Sequence, residues 1–183
     1  MRPESATTTA TSVVALPRAL WRLLRHRWGE TRARAALPSQ ALERLAAQVS
    51  ASEQQHTGQI RVVAEAGLPW SYLRRNASAR ERAVMLFSKY RVWDTEYNNG
   101  VLIYLLMPEH AIEIVADRGL SRHVSAAQWR DMVAQMSAYF RQGDFEAGLH
   151  QAIDSVSLPL VQYFPRALGA AANNELPDAP LMR

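Results

Sequence analysis

The stretch RVWDTEYNNGVLIYLLMPEHAIEIVADRG, residues 91–119, decides the fold. Its centre, VLIYLLM at 101–107, is apolar without alternation, as a strand covered on both faces must be. AIEIVAD at 111–117 follows after only Pro108, Glu109 and His110. That link is too short for a helical crossover, so the two strands form an antiparallel hairpin. Upstream, GQIRVVAEA begins after Gly58 and is rich in β-branched residues, which reads as a strand. A helical segment separates it from 101–107, so these two strands lie parallel in a βαβ unit.

Helical periodicity fills the rest. Residues 39–55 place Leu42, Leu45 and Val49 at helical spacing. Ser78 and Glu81 form a capping box opening a helix with Ala83, Leu86, Phe87 and Tyr90 on one face. Ser125 and Gln128 repeat the device before Trp129, Met132, Val133, Met136 and Phe140, and Gly143 suits the C-terminus of that helix. Asp144 caps a last helix carrying Leu149, Ile153, Val156 and Leu160, with Pro159 expected to kink or end it. The fold class is therefore α/β: a three-layer αβα sandwich with a small, Rossmann-like mixed sheet, preceded by N-terminal helices. The chain divides into a tail at 1–13, a basic amphipathic helix at 14–36, one domain at 38–165 and a second mobile tail at 166–183.

With 183 residues, 48% of them hydrophobic, the chain can bury one core of ordinary size. It has no cysteine, which removes disulfides, thiolate metal sites and cysteine nucleophiles. The N-terminus lacks the pattern of a secretory signal, and the longest apolar run is far short of the roughly 18 residues of a membrane span. The formal charge is +4 and the pI about 9.8. The excess is local: residues 1–36 hold seven arginines against Glu4 and Glu30, while the remainder has 14 basic and 15 acidic residues. A basic surface across the domain is absent, which argues against a nucleic-acid partner.

The hairpin brings its polar flanks to one end of the sheet. Asp94, Glu96, Asn98 and Asn99 precede the first strand, and Asp117 and Arg118 follow the second. Carboxylate and amide oxygens suit Ca²⁺ or Mg²⁺. Asp94, Glu96, Asn98 and Asp117 are the metal-ligand candidates, and Asp94, Glu96 and Arg118 the catalytic ones. Asn99, Gly100 and Gly119 shape the loops. The same residues have an ordinary reading as Asx turns and a tight turn, and their spacing matches no EF-hand. His26, His56, His110, His123 and His150 form no HxH or HExxH pattern, and no G-x-S-x-G, Walker A or G-x-G-x-x-G occurs. The helix at 16–28 sets Arg18, Trp21, Arg22, Arg25 and Trp28 where they can meet an anionic membrane surface or a membrane-associated partner, or pack on the domain with the arginine heads in water.

HTGQIRVVAEA, LFSKYRVWD, NNGVLIYLLMPEHAIEIVADRGL and FRQGDFEAGLHQAIDSV together resemble the TPM domain family, over residues 40–164. The family is named for a thylakoid lumen protein, a photosystem II repair protein and a modulator of levamisole receptors. The resemblance implies an αβα sandwich, divalent-cation binding, chiefly of Ca²⁺, and a weak acid phosphatase activity proposed for some members. Many members carry Asp-Asn-Gly where this chain has Asn98, Asn99 and Gly100, and glycine where it has Asp117. Many bacterial relatives also carry a signal peptide and membrane anchor, so this chain reads as a cytoplasmic variant peripheral to the inner membrane face. Three functions follow: an accessory module that binds a divalent cation, a metal-assisted phosphatase with Arg118 steadying charge and Asp94 or Glu96 moving the proton, and a membrane-surface adaptor.

Overall fold

A computed structural model describes residues 22, 26, 33, 35–167 and 174–183. In chain order these form α1 (Ser39–Glu53), β1 (Gln59–Glu65), α2 (Trp70–Arg74), α3 (Ala79–Lys89), β2 (Gly100–Leu106), a 3₁₀ turn (Met107–Glu109), β3 (Ala111–Ala116), α4 (Arg118–Ser121), α5 (Ala126–Gln142), α6 (Phe145–Tyr163) and β4 (Leu181–Met182). The sheet order is β3-β2-β1-β4. β1 and β2 are parallel from Gln59 opposite Gly100 to Glu65 opposite Leu106. β2 and β3 are antiparallel, with Val101 opposite Ala116 and Leu106 opposite Ala111.

Every residue of β1 and β2 is buried because the sheet is covered twice. Ile60, Val62, Ala64, Val101, Ile103 and Leu105 face a core completed by α1, α5 and α6. Val63, Leu102, Tyr104 and Leu106 face the smaller layer of α2 and α3. The αβα sandwich expected from the sequence is therefore present. The Ser125 and Gln128 capping box is complete. At α3 only half of one forms: Ser78 Oγ accepts from the Glu81 N–H, while the Glu81 carboxylate turns to Arg75 at 3.3 Å.

Two expectations are corrected. Pro159 neither ends nor bounds α6, which runs on to Tyr163. Val156, Pro159 and Leu160 are all buried there, and their burial outweighs the lost helical hydrogen bond. The segment 166–183, read as a mobile tail, supplies a strand: Leu181 pairs with Val63 and Met182 with Ala64, in parallel. Arg166 also holds the turn after α1, donating to the carbonyls of Glu53 and His56.

Candidate functional site

The chain leaves α3 through Arg91, whose φ of 53° turns it sharply, and residues 91–99 fold back toward β2. Val92 and Thr95 are buried anchors, and Thr95 Oγ1 accepts from the Asn99 N–H at 3.1 Å. Asn98 has φ 52°, a left-handed conformation that asparagine tolerates better than most residues. Two glycines allow the close fit. A Cβ on Gly100 would stand 1.8 Å from the Val92 carbonyl oxygen, and one on Gly119 would stand 2.4 Å from that of Asn98. The Gly119 N–H donates to the same Asn98 oxygen at 2.8 Å, and the Asp117 N–H to Gly100 O at 2.9 Å. At Gly100 and Gly119 the two loops thus pack backbone against backbone.

The hairpin register brings Asn98, Asn99, Asp117 and Arg118 to one end of the sheet. Arg118 Nε donates to Asn98 Oδ1 at 3.1 Å, and the Arg118 N–H to Asp117 Oδ1 at 2.7 Å, which caps α4. Two buried side-chain oxygens there accept no hydrogen bond from the described residues: Asp117 Oδ2 and Asn99 Oδ1. Asn99 itself is 0% exposed, and its Nδ2 donates to Thr57 Oγ1 at 3.2 Å.

Asp94 and Glu96 do not join this group. The Asp94 side chain is 57% exposed and lies 4.0 Å from Arg91 Nη1. Glu96 is exposed, and its backbone N–H donates to Glu175 Oε2. Trp93 and Tyr97 are about half exposed beside them. Among the described residues no three His, Cys, Asp or Glu side chains lie close enough to hold a metal. The residues present therefore do not fit the multi-carboxylate shell that a tight Ca²⁺ site uses. They fit at most one weak site, built on the single carboxylate of Asp117 with amide and carbonyl oxygens.

Of the basic N-terminal residues, Arg22 alone is described; Arg18, Trp21, Arg25 and Trp28 lie outside the described residues. Arg22 is engaged within the chain. It donates to Glu109 Oε1 at 2.6 Å, to Asn76 Oδ1 at 2.6 Å and to the Ala77 carbonyl at 2.7 Å. His26 lies beside it and is buried. Its Nδ1 accepts from the Leu68 N–H, so Nε2 carries the proton and donates to Glu109. These bonds from His26 and then Arg22 hold the Glu109 carboxyl below its ordinary pKa.

A family model of the TPM domain matches residues 32–157. This chain belongs to the TPM domain family. Among solved structures it is similar to the NMR structure of the BA42 protein from the psychrophilic bacterium Bizionia argentinensis, with a TM-score of 0.68 and 25% identity. That match covers 79% of this chain and 94% of the other. No curated protein matches this chain.

Sequence reasoning passed over three groups in this TPM domain. Glu175, in the segment read as a tail, braces the candidate loop through Glu96. Glu65, Arg82 and Tyr104 form a buried cluster in which Arg82 Nε and the Tyr104 hydroxyl each donate to Glu65 Oε2 at 2.8 Å. Burial and then Glu65 raise the Tyr104 pKa far above normal, so the phenol stays a donor. Glu53 and His56 are buried at the end of α1. An acidic or basic residue inside an otherwise apolar strand or face, such as Glu65 in GQIRVVAEA, was the available signal.

Proposed function

We propose that this TPM domain is an accessory binding module that takes one divalent cation, Ca²⁺ or Mg²⁺, at the strand end, with Asp117 as its charged ligand. The carrying observation is the Asp117 Oδ2 atom, buried and without a donor among the described residues. A carboxylate oxygen withdrawn from water without a partner is costly, and a cation or an ordered water relieves that cost. Arg118 does not supply the relief to Oδ2, since its Nε is turned to Asn98. The backbone here is fixed by Gly100 and Gly119, so the site needs little reorganisation on binding. A single carboxylate sets the expected affinity in the weak range, with Kd on the order of 10⁻³ M.

The phosphatase reading draws less support, because Asp94 and Glu96 stand exposed on the loop and away from Asp117. The membrane-adaptor reading loses Arg22, which is spent on Glu109, Asn76 and Ala77. No helix among the described residues is long and apolar enough to cross a membrane.

The test is a titration of Ca²⁺, then Mg²⁺, into isotope-labelled protein, following backbone amide shifts. Saturable shifts at residues 98–100 and 117–119 that vanish in Asp117→Asn support the reading. Shifts unaltered by Asp117→Asn, or no shifts up to about 10 mM, ten times the expected Kd, refute it.

A further inference from the structure

β1 would be an open edge of the sheet without residues 174–183, presenting unpaired N–H and C=O groups to any extended chain. The segment covers that edge in an unusual way. Gln59 Oε1 accepts from the backbone N–H groups of Glu175 and Leu176 at 2.8 and 3.0 Å. Arg61 Nη1 donates to the carbonyls of Pro177 and Ala179 at 2.6 and 2.8 Å. Only then does strand pairing begin, at Leu181 and Met182, closed by Arg183 N–H to Ala64 O at 2.9 Å and Ala66 N–H to Arg183 O at 2.6 Å.

β1 therefore grips the backbone of the segment far more than its side chains, which is how strand addition recognises a peptide. Apolar side chains set the register: Leu176 is buried and Leu181 packs on the α3 side, Met182 on the other. The ladder stays two residues long for a chemical reason. Pro177 has no N–H to give at a position whose backbone would turn to β1, and Pro180 fixes its φ at roughly −65°, short of the extended strand value. A parallel peptide without them could pair with β1 along residues 59–62 as well. The segment also lies outside the region that the family model matches.

We propose that the outer edge of β1 is a strand-addition site for an extended partner peptide, and that residues 174–183 occupy it in cis as a weak, displaceable ligand. The partner is an extended segment running parallel to β1. It carries aliphatic residues at the places of Leu176 and Leu181, free carbonyls opposite Arg61, and no proline at the places of Pro177 and Pro180. Its covalent link to the rest of the chain gives the cis segment an effective concentration on the order of millimolar. A free peptide displaces it only by pairing better, and the two prolines leave that margin. Docking would also release Glu175 from Glu96, so capture of a partner reaches the loop at the other side of β2.

The probe is a synthetic copy of residues 174–183, NELPDAPLMR, carrying Pro177→Val and Pro180→Val, added to the isotope-labelled full chain. The expected result is that Leu181 and Met182 amides of the protein move to positions of unpaired chain while amides of residues 59–66 shift and stay dispersed. The peptide with both prolines retained should need about tenfold more to do the same. In a full chain carrying Leu176→Ser and Leu181→Ser, the valine peptide should bind at about one-tenth of the concentration. Should that variant fail to fold, the competition on the unaltered chain decides alone. Leu181 and Met182 held at their paired positions in several millimolar peptide overturn the proposal. So do shifts that map away from residues 59–66, or displacement accompanied by a doubling of mass, which would put a second copy's segment on the edge instead.

Discussion

Glu53 and His56 give a sharp test of how burial sets the energetics of this domain. Glu53 is 6% exposed and its Oε1 accepts from the Ile60 N–H at 2.7 Å. Desolvation raises its pKa to about 7 from an ordinary value of 4.5. His56 is 0% exposed, accepts from Ser52 Oγ through Nε2 and donates from Nδ1 to the Gly58 carbonyl. Desolvation lowers its pKa to about 4 from 6.5. Between pH 4.5 and 7 the folded state holds the Glu53 proton longer than the unfolded chain, so its contribution is full below 4.5 and is lost as pH rises through 7. His56 behaves oppositely: between pH 4 and 6.5 the unfolded chain binds the proton first, so its contribution is present above 6.5 and lost as pH falls through 4. At roughly 1.4 kcal/mol per pKa unit, each is worth about 3 kcal/mol over its window.

The two slopes nearly cancel from pH 4.5 to 6.5 in the parent protein. Glu53→Gln keeps the acceptor for Ile60 and removes one of them. Measured by urea unfolding at fixed pH, the variant should gain on the parent by about 3 kcal/mol as pH rises from 4.5 to 7, then hold that margin. His56→Gln should do the reverse, gaining on the parent as pH falls from 6.5 to 4. A Glu53→Gln difference that stays constant across pH 4.5–7.5 would sink the assignment of a protonated Glu53 in the folded state.

Two further perturbations probe the packing around the site and the sheet. Gly100→Ala sets a methyl against the Val92 carbonyl, and should cost about 3 kcal/mol or more with amide shifts spread over residues 91–99; a cost under about 1 kcal/mol would show that the loop yields. Arg82→Met leaves the buried Glu65 carboxylate to the Tyr104 hydroxyl and, at 3.8 Å, to Arg183, and should lower the unfolding free energy by about 3 kcal/mol, whereas a neutral result in urea would mean that Arg183 takes over the pairing.

The sheet was legible because two signals are insensitive to context. VLIYLLM has no polar position to turn to water, and three residues cannot carry a crossover to AIEIVAD. The parallel β1 and the antiparallel hairpin follow from those facts. β4 was illegible for the opposite reason. Its two paired residues have no period to detect, and the segment before it is held by Gln59 and Arg61, side chains remote in sequence. The helix through Pro159 was misjudged because local propensity counts the missing hydrogen bond, while the burial that offsets it is visible only in the packed molecule.

The candidate site divides along a similar line. The sequence set oxygen-rich residues on both flanks of the hairpin, and its register brings Asn98, Asn99, Asp117 and Arg118 to one end of the sheet. Composition could not say which side chains turn inward, because that depends on what fills the space inside the loop. Here backbone fills it: the carbonyls of Val92, Tyr97 and Asn98 press against Gly100 and Gly119 at distances no Cβ permits. Asp94 and Glu96 consequently stay outside with Trp93 and Tyr97, and a loop that reads as a ligand cluster becomes an exposed rim beside one half-buried carboxylate whose Oδ2 alone is buried. The glycines that shape the loop are thus the same feature that keeps its acids apart. On the proposed reading, cation affinity at this end of the sheet rests on Asp117.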